Sequence, residues 1–249
     1  MKLRQLTFLL VLFFAVPLRA GESVQLMPEW SRGFHNFNMA MFESFQPLVE
    51  EYRDVKIYPL HRGVVNALAN LSEPQTIINS VLVLDIRNAA TATGRFLLNS
   101  TVGLLGAIDV AGGMGFRRDR RDFGGVMGVW GVGYGARFTL PLIGPTNLRD
   151  FSGMFVDGIF NPLSYFVLGY PIVIALSVSG MSYGIYEGYD IIMGLHTMSI
   201  DSHAAFQTMS AQMREAEIRR IRLGIRGAER GQAQLSSHDF DFDMDFDME

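Results

Sequence analysis

The sequence predicts a mainly helical fold, and three observations carry that prediction. Apolar residues recur at steps of three and four through the first hundred positions, as they do on one face of a helix. Strand signals are few and short, with Arg137 to Leu140 the best of them. Glycine punctuates the chain from Gly103 onward, dividing it into pieces joined by tight connections.

The N-terminus reads as a secretory signal over residues 1–20. Lys2 and Arg4 supply the positive start, Leu6 to Val16 is an uncharged apolar run, and Ala20 offers a small residue before a cut. The run is too short to span a bilayer, which takes roughly 20 apolar residues. An uncleaved anchor is the alternative, and either way the mature domain is exported. Residues 21–33 read as a linker.

The helical domain is expected over residues 34–230. Phe34, Phe37, Met41, Phe45, Leu48 and Tyr52 follow steps of 3, 4, 4, 3 and 4, which place them on one helical face. Pro47 should kink or divide that helix. A second helix is predicted from Leu60 to Leu71, ended by Glu73-Pro74, because the residue before proline avoids helical angles. Pro74 suits the first turn of a third helix carrying Ile77, Ile78, Val81, Leu82 and Ile86. A fourth begins near Asn88 and passes Arg95 and Phe96.

From Asp122 to Asp150, seven of 29 residues are glycine, and Trp130, Tyr134 and Phe138 sit among them. Flexible linkers lack such rings, and helices avoid repeated glycine at about 1 kcal/mol each relative to alanine. Between Asp157 and Glu187 there is no charge for 29 positions, a length sufficient to cross a bilayer. Pro162, Pro171 and several glycines interrupt it, so two broken helices in one leaflet fit at least as well, and a buried core hairpin is the alternative. Met213 to Arg230 carries six arginines and three glutamates, with Ile218, Ile221 and Ile225 on one face, and reads as an amphipathic surface helix. Residues 231–249 read as a disordered tail, in which acids alternate with Phe or Met from Asp239 to Glu249.

Composition excludes several function classes. There is no cysteine, hence no disulfide, no cysteine-based zinc site or nucleophile, and no cysteine to acylate at a lipoprotein cleavage site. Five histidines form no HExxH arrangement. Without the signal and the last 11 residues, 18 basic side chains face 19 acidic ones, so the body is nearly neutral and nucleic acid is a poor candidate partner. No catalytic residue, cofactor or metal is assigned. The 14 methionines suit irregular apolar partners, lipid among them.

Several blocks occur in order. Phe37-Asn38 precedes Met41-Phe42. Pro59, Arg62, Gly63, Val64, Asn66, Leu68, Asn70-Leu71 and Glu73-Pro74 form a second block, with Asn79 shortly after. Arg95-Phe96, Asn99-Ser100-Thr101, Gly103, Gly106 and Asp109-Val110-Ala111 form a third. Asp122-Phe123-Gly124, Gly128, Trp130-Gly131-Val132-Gly133, Gly135, Leu140-Pro141, Gly144-Pro145 and Arg149-Asp150 form a fourth, extended by Asp157 and Pro162-Leu163. Together these resemble the MlaA (VacJ) family over roughly residues 34–165. Two departures stand beside the likeness. Family members are lipoproteins, and this chain has no cysteine for the anchor. Toward its end the family carries a DPY-like element and a Gln-Arg-Arg-like helix, where this chain reads Asp201-Ser202-His203 and Gln212-Met213-Arg214.

The resemblance implies a single ring-like domain of amphipathic and membrane-embedded helices with Gly-rich connections. It would sit in the periplasmic leaflet of the outer membrane. A channel through the ring would remove mislocalised phospholipid from the outer leaflet and pass it to the periplasm, maintaining lipid asymmetry. A soluble periplasmic lipid carrier and a trimeric porin are the partners it implies. Lipid-path candidates are Phe37, Asn38, Phe42, Arg95, Asp122, Phe123, Trp130, Tyr134, Arg149 and Asp150. Trp130 and Tyr134 suit a bilayer interface. The charges Arg95, Arg149, Asp122 and Asp150 would be costly in a membrane and are therefore candidates for function, with structural ion pairs or helix caps as the alternative role.

Three enzyme-like patterns remain. Gly180-Met181-Ser182-Tyr183-Gly184 matches the nucleophile elbow of α/β-hydrolases, with Asp190 or Asp201 and His196 or His203 following in order. The βα repeats of that fold are not visible upstream. Gly131 to Ala136 fits a loose dinucleotide pattern but lacks a preceding strand and runs into Pro141. Glu50 and Glu51 are helix neighbours that point apart. The alternatives to a channel are thus a secreted lipid esterase using Ser182, or a lipid-binding structural module that transports nothing.

Overall fold

The computed structural model describes residues 27–47, 58–161 and 188–240. The protein is mainly helical. In order come α1 (Pro28–Ser44), α2 (Tyr58–Leu71), α3 (Glu73–Leu82), α4 (Ile86–Thr101), the short α5 (Val110–Gly113) and α6 (Phe123–Val129). A hairpin of β1 (Arg137–Leu140) and β2 (Gly144–Asn147) follows, then α7 (Leu148–Phe160), α8 (188–198) and α9 (Ser202–Phe240).

Short polar side chains set the helix starts. Asp85, Asp109, Asp122 and Asn147 each accept a hydrogen bond from a backbone N–H in the first turn of α4, α5, α6 and α7. Such a cap is worth about 1 kcal/mol. Prolines open α1 and α3, where a missing N–H costs nothing. The first helix therefore starts at Pro28, with Glu29 in its first turn, and takes in residues 28–33 that the apolar spacing left to a linker. It ends before Pro47. The last helix starts at Ser202 and runs through Phe240, continuing into residues read as tail, because no proline interrupts that stretch. The signal, the apolar run from Pro162 to Glu187 with Ser182, and the tail beyond Phe240 lie outside the described residues.

The hairpin is antiparallel, with Arg137 opposite Asn147 and Leu140 opposite Gly144. Its second strand, Gly-Pro-Thr-Asn, has no strand signature of its own and is held by its partner. Helix α3 packs on α4 and α6 on α7, α1 lies against the hairpin, and α9 crosses α6 and the hairpin.

Burial runs opposite to a water-soluble core. Among the described residues 19 polar or charged side chains are buried and only 12 apolar ones, while 26 large apolar side chains are exposed. In α1 the buried face is Ser31, His35, Asn38 and Met39, and Trp30 and Phe37 look outward. Four leucines, Leu84, Leu104, Leu105 and Leu142, hold positive φ and are exposed, Leu105 by 77%. Left-handed backbone costs an L-residue roughly 1–2 kcal/mol. The chain thus bears strain while presenting large apolar groups outward. Among the described residues no helix is long and apolar enough to cross a membrane.

Candidate functional site

Two carboxylates are brought side by side by glycine. Asp122 caps α6 and Asp150 sits in the first turn of α7. The two helices approach so closely that a Cβ on Gly153 would lie 2.8 Å from the Cα of Gly124. A Cβ on Gly124 would lie 2.7 Å from Asp150 Oδ1. Glycine at both positions is a requirement of packing.

Arg214 of α9 closes this pair. Its Nε donates to Asp150 Oδ2 at 3.1 Å, its Nη1 to Asp122 Oδ2 at 2.9 Å and to Glu217 Oε2 at 2.8 Å, and its Nη2 to Asp122 Oδ1. One guanidinium therefore serves three carboxylates. Burial alone would raise the Asp122 pKa, but the hydrogen bonds and charge of Arg214 outweigh it and hold the carboxyl below its ordinary value. Burial likewise works against charge on Arg214, and the carboxylates raise its pKa instead.

Arg149 supports Asp150 from behind at 2.9 Å and lies 5.3 Å from the centre of the Tyr134 ring. The Tyr134 hydroxyl donates to Glu215 of α9, so the Gly-aromatic stretch is clipped to that helix at a second point. Asp157 accepts from the N–H of Phe123 at 2.9 Å and from Asn79 Nδ2 at 2.8 Å, and burial pushes its pKa up.

Beside these groups lies a cavity of about 830 Å³. Arg120, Asp122, Asp150, Asp157, Arg214 and Glu217 form its polar part. Ile143, Pro145, Met154, Phe206, Met209 and Met213 form its apolar part. Such a wall can pair charges at one end and let hydrocarbon slide at the other. No histidine is among the described residues that line it.

Of the candidates read from sequence, Asp122 and Asp150 line this cavity, and Arg149 stands directly behind. Phe123 packs with Val83, Val126 and Ile221 beneath α9 and meets Trp130 edge-on at 5.9 Å. Trp130 is exposed and donates to the carbonyl of Leu82 at 3.3 Å. Tyr134 opens on a separate groove with Arg137 and Glu215. Phe37 lines an apolar groove with Trp30, Phe34 and Pro141. Asn38 holds the hairpin turn, donating to the Leu140 carbonyl at 2.9 Å and accepting from the Leu142 N–H at 2.8 Å. Phe42 packs on Tyr189. Arg95 is remote from the cavity. It joins Glu73 at 3.1 Å, Asp109 at 3.0 Å and the carbonyl of Phe116.

Sequence reasoning missed Arg214, Arg120, Glu217 and the methionines Met209 and Met213. The one signal was the Gln212-Met213-Arg214 triplet, read there as a departure from the family pattern. Two members of the esterase pattern have other partners. His203 meets Ser31 at 2.9 Å in a buried site, and Asp201 pairs with Arg32 at 3.0 Å. Ser31 also accepts the N–H of Thr139, so the pair is a fixed junction between α1, β1 and α9. Among the described residues no group of His, Asp and Glu converges as a metal site would.

The model of the MlaA lipoprotein family matches residues 27–217. An uncharacterized protein of Rickettsia bellii is 30% identical over 194 residues, covering 76% of this chain and 75% of its own. The intermembrane phospholipid transport system lipoprotein MlaA of Escherichia coli K12 is 34% identical over 141 residues, 55% of this chain and 56% of that protein. A solved structure described as the structural basis for maintenance of bacterial outer membrane lipid asymmetry superposes with a TM-score of 0.61. It is 28% identical and spans 81% of this chain and 98% of the other. The matched span contains the helix that Asp122 caps, the helix whose first turn holds Asp150, the hairpin between them, and Arg214 that ties both carboxylates to α9, and the chain belongs to the MlaA lipoprotein family.

Proposed function

We propose that this protein is a phospholipid channel of the outer membrane. It removes mislocalised phospholipid from the outer leaflet and passes it to the periplasm, which maintains lipid asymmetry. The observation that carries the reading is the amphipathic cavity set in a molecule whose surface is rich in exposed apolar side chains. A phospholipid needs polar groups to replace head-group water and apolar walls for its chains. Asp122 and Asp150, organised by Arg149 and Arg214, belong to the polar end of the path. Phe37, Phe42, Phe123, Trp130 and Tyr134 belong to its apolar and interfacial surroundings, and Asn38 and Arg95 brace the helices around it. The names of the E. coli relative and of the solved structure support transport of phospholipid and an outer-membrane setting. A periplasmic lipid carrier as acceptor and a trimeric porin as neighbour come from the family resemblance.

The reading is one of passage without bond chemistry: among the described residues the cavity offers charge pairs at one end and hydrocarbon walls at the other, which suit a lipid that slides through unchanged. Cells lacking the gene are expected to accumulate phospholipid in the outer leaflet and to become sensitive to detergent with chelator. Unchanged asymmetry would sink the channel. Ester cleavage by the purified chain that is lost in Ser182→Ala would establish the esterase instead. A lipid-binding module without transport would capture labelled lipid yet fail to restore asymmetry in such cells.

A further inference from the structure

The cavity's charges are unequally engaged. Arg214 faces three carboxylates with all three of its nitrogens, and Arg149, which does not line the cavity, donates to Asp150 and to the carbonyl of Val132 and lies over the Tyr134 ring, its Nη2 buried behind the wall without a partner. Arg120 also lines the cavity, and among the described residues its guanidinium has no hydrogen-bond or ion-pair partner. It is therefore the cavity cation with donors open to a ligand. The same cavity is lined by four carboxylates, Asp122, Asp150, Asp157 and Glu217, against three guanidiniums, counting Arg149 behind the wall. The polar end is thus not a positive funnel. It is one open cation beside a slight surplus of acid.

We propose that Arg120 receives the phosphate of a lipid head group and that the neighbouring carboxylates favour an ammonium next to that phosphate, so the path selects zwitterionic over anionic phospholipid. This rests on reading the cavity as the lipid path. A phosphodiester pairs bidentately with a guanidinium. A second negative charge on the ligand would meet the surplus carboxylates, whereas an ethanolamine ammonium is attracted by them. One unit charge near the surface at that range changes binding by about tenfold.

The test uses the full chain in detergent and vesicles of phosphatidylcholine. These carry a trace of phosphatidylethanolamine or phosphatidylglycerol, each with the same fluorescent acyl chain. Capture of the ethanolamine lipid is expected to exceed that of the glycerol lipid by about tenfold. Arg120→Gln is expected to weaken capture of the ethanolamine lipid by about tenfold, and Arg120→Lys to recover only part of it, because an ammonium keeps the charge without the fork. Glycerophosphoethanolamine should compete, and inorganic phosphate should compete poorly. Equal capture of the two lipids, or a folded Arg120→Gln chain that captures as the parent does, overturns the head-group assignment and leaves lipid passage standing. Inorganic phosphate competing as well as glycerophosphoethanolamine overturns the ammonium part. Capture of neither lipid by a chain of native helicity overturns both this assignment and the channel.

Discussion

Arg214 is the residue on which the polar end depends. Its side chain is 14% exposed and faces Asp122, Asp150 and Glu217. Truncating one partner of such a network leaves the others as uncompensated charge. Arg214→Ala is expected to destabilise the protein by about 3 kcal/mol, read as a shift of the denaturant midpoint. Arg214→Lys should recover only part, because a single ammonium cannot reach three carboxylates with forked geometry. Equal stability of parent and Arg214→Ala would show that the carboxylates are satisfied by water. Gly153→Ala tests the packing beneath them. The added methyl would press on the backbone of Gly124, and a cost of about 1–3 kcal/mol is expected. The Asp122–Phe123–Gly124 and Arg149–Asp150 blocks were legible in the sequence because caps and close-approach glycines have fixed residue types. Arg214 was not. It is one of six arginines between Met213 and Arg230, and the one local mark on it, the Gln212-Met213-Arg214 triplet, says nothing about which of the six turns inward.

At the scale of elements, α1 shows both how far sequence reaches and where it stops. Its helical spacing was legible, yet the face that the protein buries is the one with Ser31, His35 and Asn38. Periodicity reports that a helix has two faces and not which of them meets protein. The same holds for β2, whose strand exists through pairing alone, while the proline-led α3 and the aspartate-capped α4 and α6 announce their own starts. The buried face of α1 carries a titratable junction. His35 bonds Ser202 at 2.8 Å, and its ring lies 5.5 Å from His203 and 5.4 Å from Phe206, which lines the cavity. Arg32 from α1, His196 from α8, and Asp201 and His203 at the start of α9 are the charged or titratable groups that face it. Burial first, then the like charges of His203 and His196, lower the His35 pKa from 6.5 to about 4. The unfolded chain therefore binds a proton between those values that the folded chain does not. The stability contributed by neutral His35 is complete above pH 6.5 and is lost as pH falls toward about 4. Trp30 of α1 is one of two tryptophans, so in a Trp130→Phe background its fluorescence reports the junction. An acid transition in that signal is expected, and His35→Asn should flatten it. An unchanged transition in His35→Asn would place the sensitive group elsewhere.

Over the described residues as a whole, polar side chains lie inward and many large apolar ones outward, and that inversion links the fold to the proposed function. In water, exposing so many apolar groups would be unfavourable by roughly 25 cal/mol per Å². In a bilayer the same surface is the favourable one, and the buried ion pairs of Arg95, Arg121, Arg149 and Arg214 are shielded from it. The strained leucines give this argument a test with two readouts of opposite sign. Leu104 and Leu105 hold positive φ and project from the loop after α4. Asparagine tolerates that backbone, so Leu104→Asn and Leu105→Asn should each stabilise the detergent-solubilised chain by up to about 1 kcal/mol. If these side chains serve contact with lipid, the same substitutions should weaken partitioning into vesicles, because each removes a buried leucine worth about 1.5–3 kcal/mol. A protein that becomes more stable and binds membrane less has leucines held in place by function. One that becomes more stable and partitions as before carries strain with no use in the bilayer, and the inverted surface would then need another partner to explain it.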